Sequence, residues 1–330
     1  MMAKKILTYS SLTTFQNCKQ KYKLRYIDNL TPLKIHENLF IGTVWHKCLE
    51  MWHDPNAETS QFIEIEKYID KAFSDRDADP IQKKHWHLIL AMFQSYTIWE
   101  SEISGENLPM LEVESSFRVP IINPDTGCKS RTFDFAGVLD GIIGINSPEA
   151  ILENKSASGI TGDYIDKLEC DFQINLYSMA TQIDQVVYNI AVKVRLKQGE
   201  GESEEEYEER KAALIAKSKS GKSSAKQKVA ESDDSFHVRM IEKYENPELF
   251  QRVELYISPN KRKQTQRELW DLSQQIILAM RNDCWTPNWS NCFKFGASKC
   301  PYWELCSSDH NPNIRDNFYT KKEPHEELQK

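Results

Sequence analysis

No apolar run in this chain of 330 residues approaches the roughly 20 residues that a membrane-spanning helix needs. No spanning segment is therefore expected. The opening stretch MMAKKILTYSS holds too short an apolar core for a secretory signal, so a cytoplasmic location is the expectation. Positive charge is not in excess: 42 Lys and Arg stand against 49 Asp and Glu, a formal net charge of −7. That argues against broad binding of polyanions. It leaves room for a local basic channel, because binding depends on where charges sit. Cysteine is sparse, eight in the whole chain. In a cytosolic protein of this size that number does not suggest a disulfide framework; metal ligation or a few buried thiols is expected instead. The remaining composition, 28% charged and 40% hydrophobic, suits a globular chain, long enough for one large or two ordinary domains.

The most informative stretch runs from Phe133 to Lys155, FDFAGVLDGIIGINSPEAILENK. It reads as two short strands joined by a turn. Asp140 lies inside the apolar run of the first strand, and Glu153 and Lys155 end the second. Strand residues two apart share a face, so Glu153 and Lys155 point together and Asn154 points away. If the strands pair as a hairpin, Asp140 reaches the same place. Acids seldom sit among apolar residues unless paired or bound to metal. Two carboxylates and a lysine in one spot suit a Mg²⁺-type site, since hard cations take oxygen ligands and keep positions open for water and phosphate. Taken alone, the stretch also reads as a Glu–Lys pair on a solvated strand face with an Asp in a turn.

Along the chain, Leu12, Phe15, Cys18, Tyr22 and Tyr26 recur at helical spacing after Ser10, the expected N-cap. Cys18 by itself reads as a core thiol. Phe40–Trp52 reads as a second helix on which Gly42 and His46 share a face; a lone histidine there reads as packed or solvated. Helical patterns cover 58–76, 81–103, 167–183 and 260–283, and strand patterns cover 111–119, 186–196 and 249–257. Asn123–Gly127 is a turn signal. Gln173 and Tyr177 lie one turn apart and on spacing alone read as a surface pair. From Gly199 to Ser235 an acidic run gives way to a basic one, the mark of a charged insertion with a short helix and a flexible tail. Near the end, Cys292, Cys300 and Cys306 are close together, with Cys18 or Cys284 available as a fourth ligand for Zn²⁺ or an iron–sulfur cluster.

Taken in order, these pieces resemble the PD-(D/E)XK nuclease superfamily, in its RecB-like branch with an iron–sulfur cluster, which includes CRISPR-associated and phage-encoded exonucleases. The resemblance covers Tyr9 to Cys306, apart from the insertion. YSSLTTFQNCKQKYKLRY looks like the N-terminal helix whose cysteine, here Cys18, is the first cluster ligand. GTVWHKCLE is similar to the helix whose histidine, here His46, binds metal. The family's acid falls on Asp140, its acid-x-Lys pair on Glu153 and Lys155, its Gln-x3-Tyr pair on Gln173 and Tyr177, and its cysteine trio on Cys292, Cys300 and Cys306.

The resemblance implies an α/β fold, a mixed central sheet flanked by helices in the manner of restriction endonucleases. It implies a single nuclease domain over 1–330: a helical part (1–105), a catalytic core (106–198), the insertion (199–235), a core strand and helix (236–283) and a cluster segment (284–330). It further implies Mg²⁺ or Mn²⁺ held by His46, Asp140, Glu153 and the Asn154 carbonyl, and a structural cluster, 4Fe–4S in type. Gln173 and Tyr177 are expected to position Lys155 or the DNA backbone. Relatives carry an aromatic or apolar residue where this chain has Asn154, whose side chain is expected to matter little. The implied activity is exonucleolytic hydrolysis of DNA with a free end, in recombination, repair or phage replication, with a recombination or replication protein as a partner and no membrane involvement. Two other classes stay in view: a catalytically silent DNA-end binder and a zinc-stabilised scaffold.

Overall fold

The alternation read between Phe133 and Lys155 does build a hairpin. The computed structural model, which describes residues 4–34, 37–56, 61–103, 108–144, 149–218, 220–294, 298–325 and 328, puts that hairpin in the middle of a mixed sheet. The turn expected between the two strands, at 145–148, lies outside the described residues. In chain order the strands are β1 (Lys5–Leu7), β2 (Leu30–Pro32), β3 (Met110–Ile122), β4 (Lys129–Gly144), β5 (Glu149–Ala157), β6 (Gln185–Val192), β7 (Phe250–Tyr256), β8 (Phe293–Lys294), β9 (Ser298–Lys299) and β10 (Tyr319–Lys321).

Among the described residues, β1, β3, β4, β5, β6 and β7 form one six-stranded sheet. The long β4 organises it. β3 runs antiparallel along β4, with register from Met110 opposite Ile143 to Ile122 opposite Lys129. β1 pairs parallel with Phe133–Phe135 of β4, and β5 pairs antiparallel with Gly141–Gly144. Between these two partners, residues 136–139 of β4 have a neighbour in β3 but in neither β1 nor β5. β6 lies parallel to β5, and β7 closes the order antiparallel to β6. This is the helix-flanked α/β architecture expected.

Helices cover both faces because both faces are apolar. On one, Leu7, Phe135, Ile151, Tyr188 and Ile190 pack with the helices Phe172–Thr181 and Pro259–Asn282. The other core joins Ala191 and Phe250 of the sheet to the helices Glu37–Trp52, Pro80–Ile98 and Asp233–Tyr244. Each large apolar side chain so buried contributes about 1.5–3 kcal/mol. That accounts for β1, only three residues long and too short to show a period: Leu7 is fully buried.

Local chemistry redraws three boundaries. The N-terminal helix is Tyr9–Asn17, capped by Thr8 rather than Ser10: Thr8 and Ser11 form a capping box, each side chain bonding the other's backbone N–H. The helix then breaks at Cys18, which adopts an extended conformation and caps a further turn, Lys19–Tyr22, its Sγ accepting from the Lys21 N–H at 3.4 Å. The helix expected over 167–183 is two, Gly162–Glu169 and Phe172–Thr181, because Asp171 caps the second through Oδ1 to the Gln173 N–H, 2.9 Å. The stretch 199–235 holds the helix Glu204–Lys217, and its neck is closed where Gly199 and Glu231 bond each other.

Gly137 in β4 shows how closely this face is packed. A Cβ there would stand 2.8 Å from Phe117 Cζ and 2.9 Å from Tyr177 Cε1. Both atoms belong to rings already edge to face with each other. Gly137→Ala is therefore expected to cost about 1–3 kcal/mol in chemical denaturation, through overpacking; an unchanged midpoint would show that the two rings move aside freely.

Candidate active site

β4 and β5 pair only up to Gly141 opposite Leu152. Beyond that point β5 continues through Glu153, Asn154 and Lys155 against β6 alone. The strands part, and Asp140 and Glu153 stand on the two sides of the fork. The Asn154 N–H donates to Asp140 Oδ2 at 2.7 Å, so a carboxylate takes up a backbone donor there. The other oxygen, Oδ1, lies 3.2 Å from His46 Nδ1, brought in by the helix Glu37–Trp52.

Across the fork, Lys155 Nζ donates to Glu153 Oε1 at 2.6 Å and to Gln173 Oε1 at 3.2 Å. Gln173 Nε2 donates back to Glu153 Oε2 at 3.4 Å. An ammonium can only donate and a carboxylate accepts, which fixes the orientation of the Gln173 amide. Tyr177, one turn on, is buried, its ring edge to face with Phe117. Asp140, Glu153, Lys155, His46, Gln173 and Tyr177 are thus brought together, and Asn154 lies between them in the strand.

One residue went unread in the sequence. Asp171 Oδ2 lies 3.5 Å from Lys155 Nζ and 3.3 Å from the Tyr188 hydroxyl, so the lysine sits between two carboxylates. The signal was available: an Asp two residues before Gln173, at a helix start, is a capping pattern. The Asn154 side chain is also engaged. It is buried, and its Oδ1 accepts from Asn189 Nδ2 at 2.9 Å.

Burial drives the electrostatics. Glu153 is 2% exposed. Burial first, and then the charge of Asp140, raise its pKa above the usual carboxylate range, with Lys155 pulling the other way. For Asp140, burial pushes up, but His46, the Asn154 N–H and Lys155 together bring it below its ordinary value. His46 is lowered by burial and raised more by Asp140, for a net rise. Lys155 likewise ends raised, since Glu153 and Asp171 outweigh its desolvation. Among the described residues, no three His, Cys, Asp or Glu side chains stand ready around one metal position. His46 faces Asp140, and Lys155 faces Glu153. The donor set nevertheless suits a hard divalent cation: a buried carboxylate held reluctantly ionised beside a second carboxylate gains most from an added positive charge.

Cys18, Cys292, Cys300 and Cys306 lie in one region of the fold, though among the described residues they do not stand around one metal position. Cys18 Sγ accepts from the Asn288 N–H at 3.4 Å, and the Cys300 N–H donates to the Cys292 carbonyl at 2.8 Å. Burial and then the neighbouring Cys300, Cys18 and Cys292 push Cys306 up to about 12. Cys292 is raised by burial and by Cys300 and Cys18. Each of these thiols is close enough to oppose ionisation of another. Cys284, the other candidate for fourth member, is exposed.

The family model of the PD-(D/E)XK nuclease superfamily matches residues 6–307, and the chain belongs to that superfamily. Nucleases of this superfamily use divalent metals. No curated protein gives a match. A solved structure described as the crystal structure of SSO0001 is 10% identical, covering 64% of this chain and 85% of that one, with a TM-score of 0.23; so weak a superposition supports no conclusion. Among the described residues, no helix is long and apolar enough to cross a membrane.

The raised Glu153 carboxyl makes stability depend on pH in a defined direction. The fold favours its neutral form, so its contribution is full below the unfolded value of 4.5 and is lost as pH rises through the higher folded value. Without added metal, Glu153→Gln should unfold less readily than wild type at about pH 8, by on the order of 1–3 kcal/mol, and match it more closely at about pH 5. Urea titrations in EDTA decide this; parallel stability curves would refute it.

Proposed function

We propose that this protein is a Mg²⁺- or Mn²⁺-dependent deoxyribonuclease of the RecB-like iron–sulfur branch, acting as an exonuclease on DNA with a free end. The observation that carries this reading is the meeting of Asp140, Glu153 and Lys155 where β4 and β5 part, with His46 against Asp140. His46, Asp140, Glu153 and the Asn154 carbonyl would hold the cation. When bound, it lowers the pKa of a water and offsets charge on the phosphate.

The chain's own residues supply the rest. Lys155, kept protonated between Glu153 and Asp171, presents positive charge to the attacking water and to the phosphate as negative charge grows on it. Gln173 bonds both Lys155 and Glu153 and so fixes the lysine's direction. Tyr177 backs Gln173. In the reaction a water oxygen adds to phosphorus and gives up a proton, the bond to the leaving sugar oxygen breaks, and that oxygen takes up a proton.

Cys18, Cys292, Cys300 and Cys306 would bind an iron–sulfur cluster, 4Fe–4S in type, with a structural role. Their mutual repulsion as thiolates is what a cluster's iron would relieve, and binding there contributes directly to folding. DNA recombination, repair or phage replication in the cytoplasm is the setting this reading gives.

The test uses end-labelled linear and closed circular DNA, with Mn²⁺ or EDTA. Wild type should degrade linear DNA in Mn²⁺ only, and Lys155→Ala and Asp140→Ala should each lower the rate about 100-fold or more. Cleavage that survives both substitutions would place the chemistry elsewhere. A separate assay concerns the cysteines: Cys300→Ser should lose iron and solubility together in anaerobic preparations, whereas a soluble, iron-free, fully folded variant would remove the structural role.

A further inference from the structure

Asn189 is a polar residue inside an apolar strand, VVYNIAV, and is almost fully buried. Its partners form a chain from the sheet to Tyr96 in the helix Pro80–Ile98 and on to Glu100 just after it. Asn189 Nδ2 donates to Asn154 Oδ1 and to the Tyr96 hydroxyl, both at 2.9 Å. The Tyr96 hydroxyl donates to Glu100 Oε1 at 3.1 Å, and His53 Nε2 lies 3.1 Å from the Tyr96 hydroxyl oxygen. Glu100 is buried, ion-paired with Arg252, and accepts from Trp52 Nε1 at 2.6 Å.

The direction of the bonds from Glu100 through Tyr96 and Asn189 to Asn154 follows from one end. The Glu100 carboxylate, paired with Arg252, accepts. The single hydroxyl proton of Tyr96 therefore goes to Glu100, and the Tyr96 oxygen is left to accept. Asn189 must then turn its Nδ2 toward Tyr96, and the second hydrogen on that nitrogen reaches Asn154. The cost of this arrangement is visible: Asn189 Oδ1 is buried with no hydrogen-bond partner. Two apolar side chains at 154 and 189 would avoid that cost. Asn154 is held from both sides, by Asn189 through its side chain and by Asp140 through its backbone N–H.

We propose that Asn189, oriented by Tyr96 and Glu100, is a positioning residue that fixes the Asn154 segment of β5 against Asp140, so that a buried hydrogen-bond network beside the cation site sets its geometry. The proposal rests on the nuclease reading given above.

The deciding variant replaces both partners, Asn154→Leu with Asn189→Leu. Removing a hydrogen-bonded pair together leaves neither group stranded, so its melting temperature should lie nearer to wild type than that of Asn189→Leu alone. If the pair positions the site, the double variant binds Mn²⁺ about 10- to 100-fold more weakly and loses kcat at fixed Mn²⁺, with KM for DNA unchanged. Mn²⁺ affinity is read from water-proton relaxation, independently of cleavage. Wild-type Mn²⁺ affinity and kcat in the double variant would overturn the proposal and leave the nuclease reading intact. A wild-type protein that binds Mn²⁺ but cuts no DNA would overturn the nuclease reading, and the shift in Mn²⁺ affinity would then decide the positioning role by itself. Tyr96→Phe, one link further from the cation site, should shift both quantities the same way and serves if the double variant fails to fold.

Discussion

The hydrogen bond from the Asn154 N–H to Asp140 Oδ2 stands where a strand-to-strand bond would otherwise be. β4 and β5 have already stopped pairing at Leu152, two residues earlier, and an unpaired backbone donor in so buried a place would cost as much as a lost hydrogen bond. The carboxylate satisfies it and keeps one oxygen free of backbone for His46. Without Asp140 the fork would either close by continued pairing or leave a buried N–H unmet. The opening in the sheet and the chemistry placed in it therefore depend on the same side chain.

That arrangement gathers charge where charge is disfavoured. Glu153 and Asp140 repel, and burial penalises both. Lys155 and His46 offset part of this, and Asp171 adds a further acid that holds the lysine in place. A buried ion pair seldom stabilises a fold better than apolar packing would. The cluster is better understood as stability given up for a site, as is common where function needs groups in disfavoured states.

Much of this was readable from residue types and spacing. The hairpin showed in the apolar runs around Asp140 and before Glu153, and the two helix-packed faces showed in the periodic segments on either side. Spacing alone left Gln173 and Tyr177 as a surface pair; the geometry buries Tyr177 and bonds Gln173 to Lys155. What escaped was set by short-range bonding or by contacts far apart in sequence. The break at Cys18 comes from a sulfur capping the next turn, which apolar periodicity does not register. Asp171 divides an otherwise continuous helical pattern by capping its second half. The Asn154–Asn189 bond joins residues 35 apart on neighbouring strands, and nothing in either local pattern announces it.

Asn288 and Cys18, 270 positions apart, are in hydrogen-bond contact, and the pairing of β2 with β10 brings two more distant segments together in the same region. Contacts of such long sequence separation form slowly, since the loop must close before anything rewards it. A ribosome adding about 5–20 residues per second would need roughly 15–50 s to deliver the later partners after Cys18 has emerged. Throughout that interval the sheet and its helices can assemble while the first cysteine remains unmatched. Completion of this region is therefore a late event in the life of each chain, and the exposure of an early thiol to oxidants is greatest while the protein is still being made.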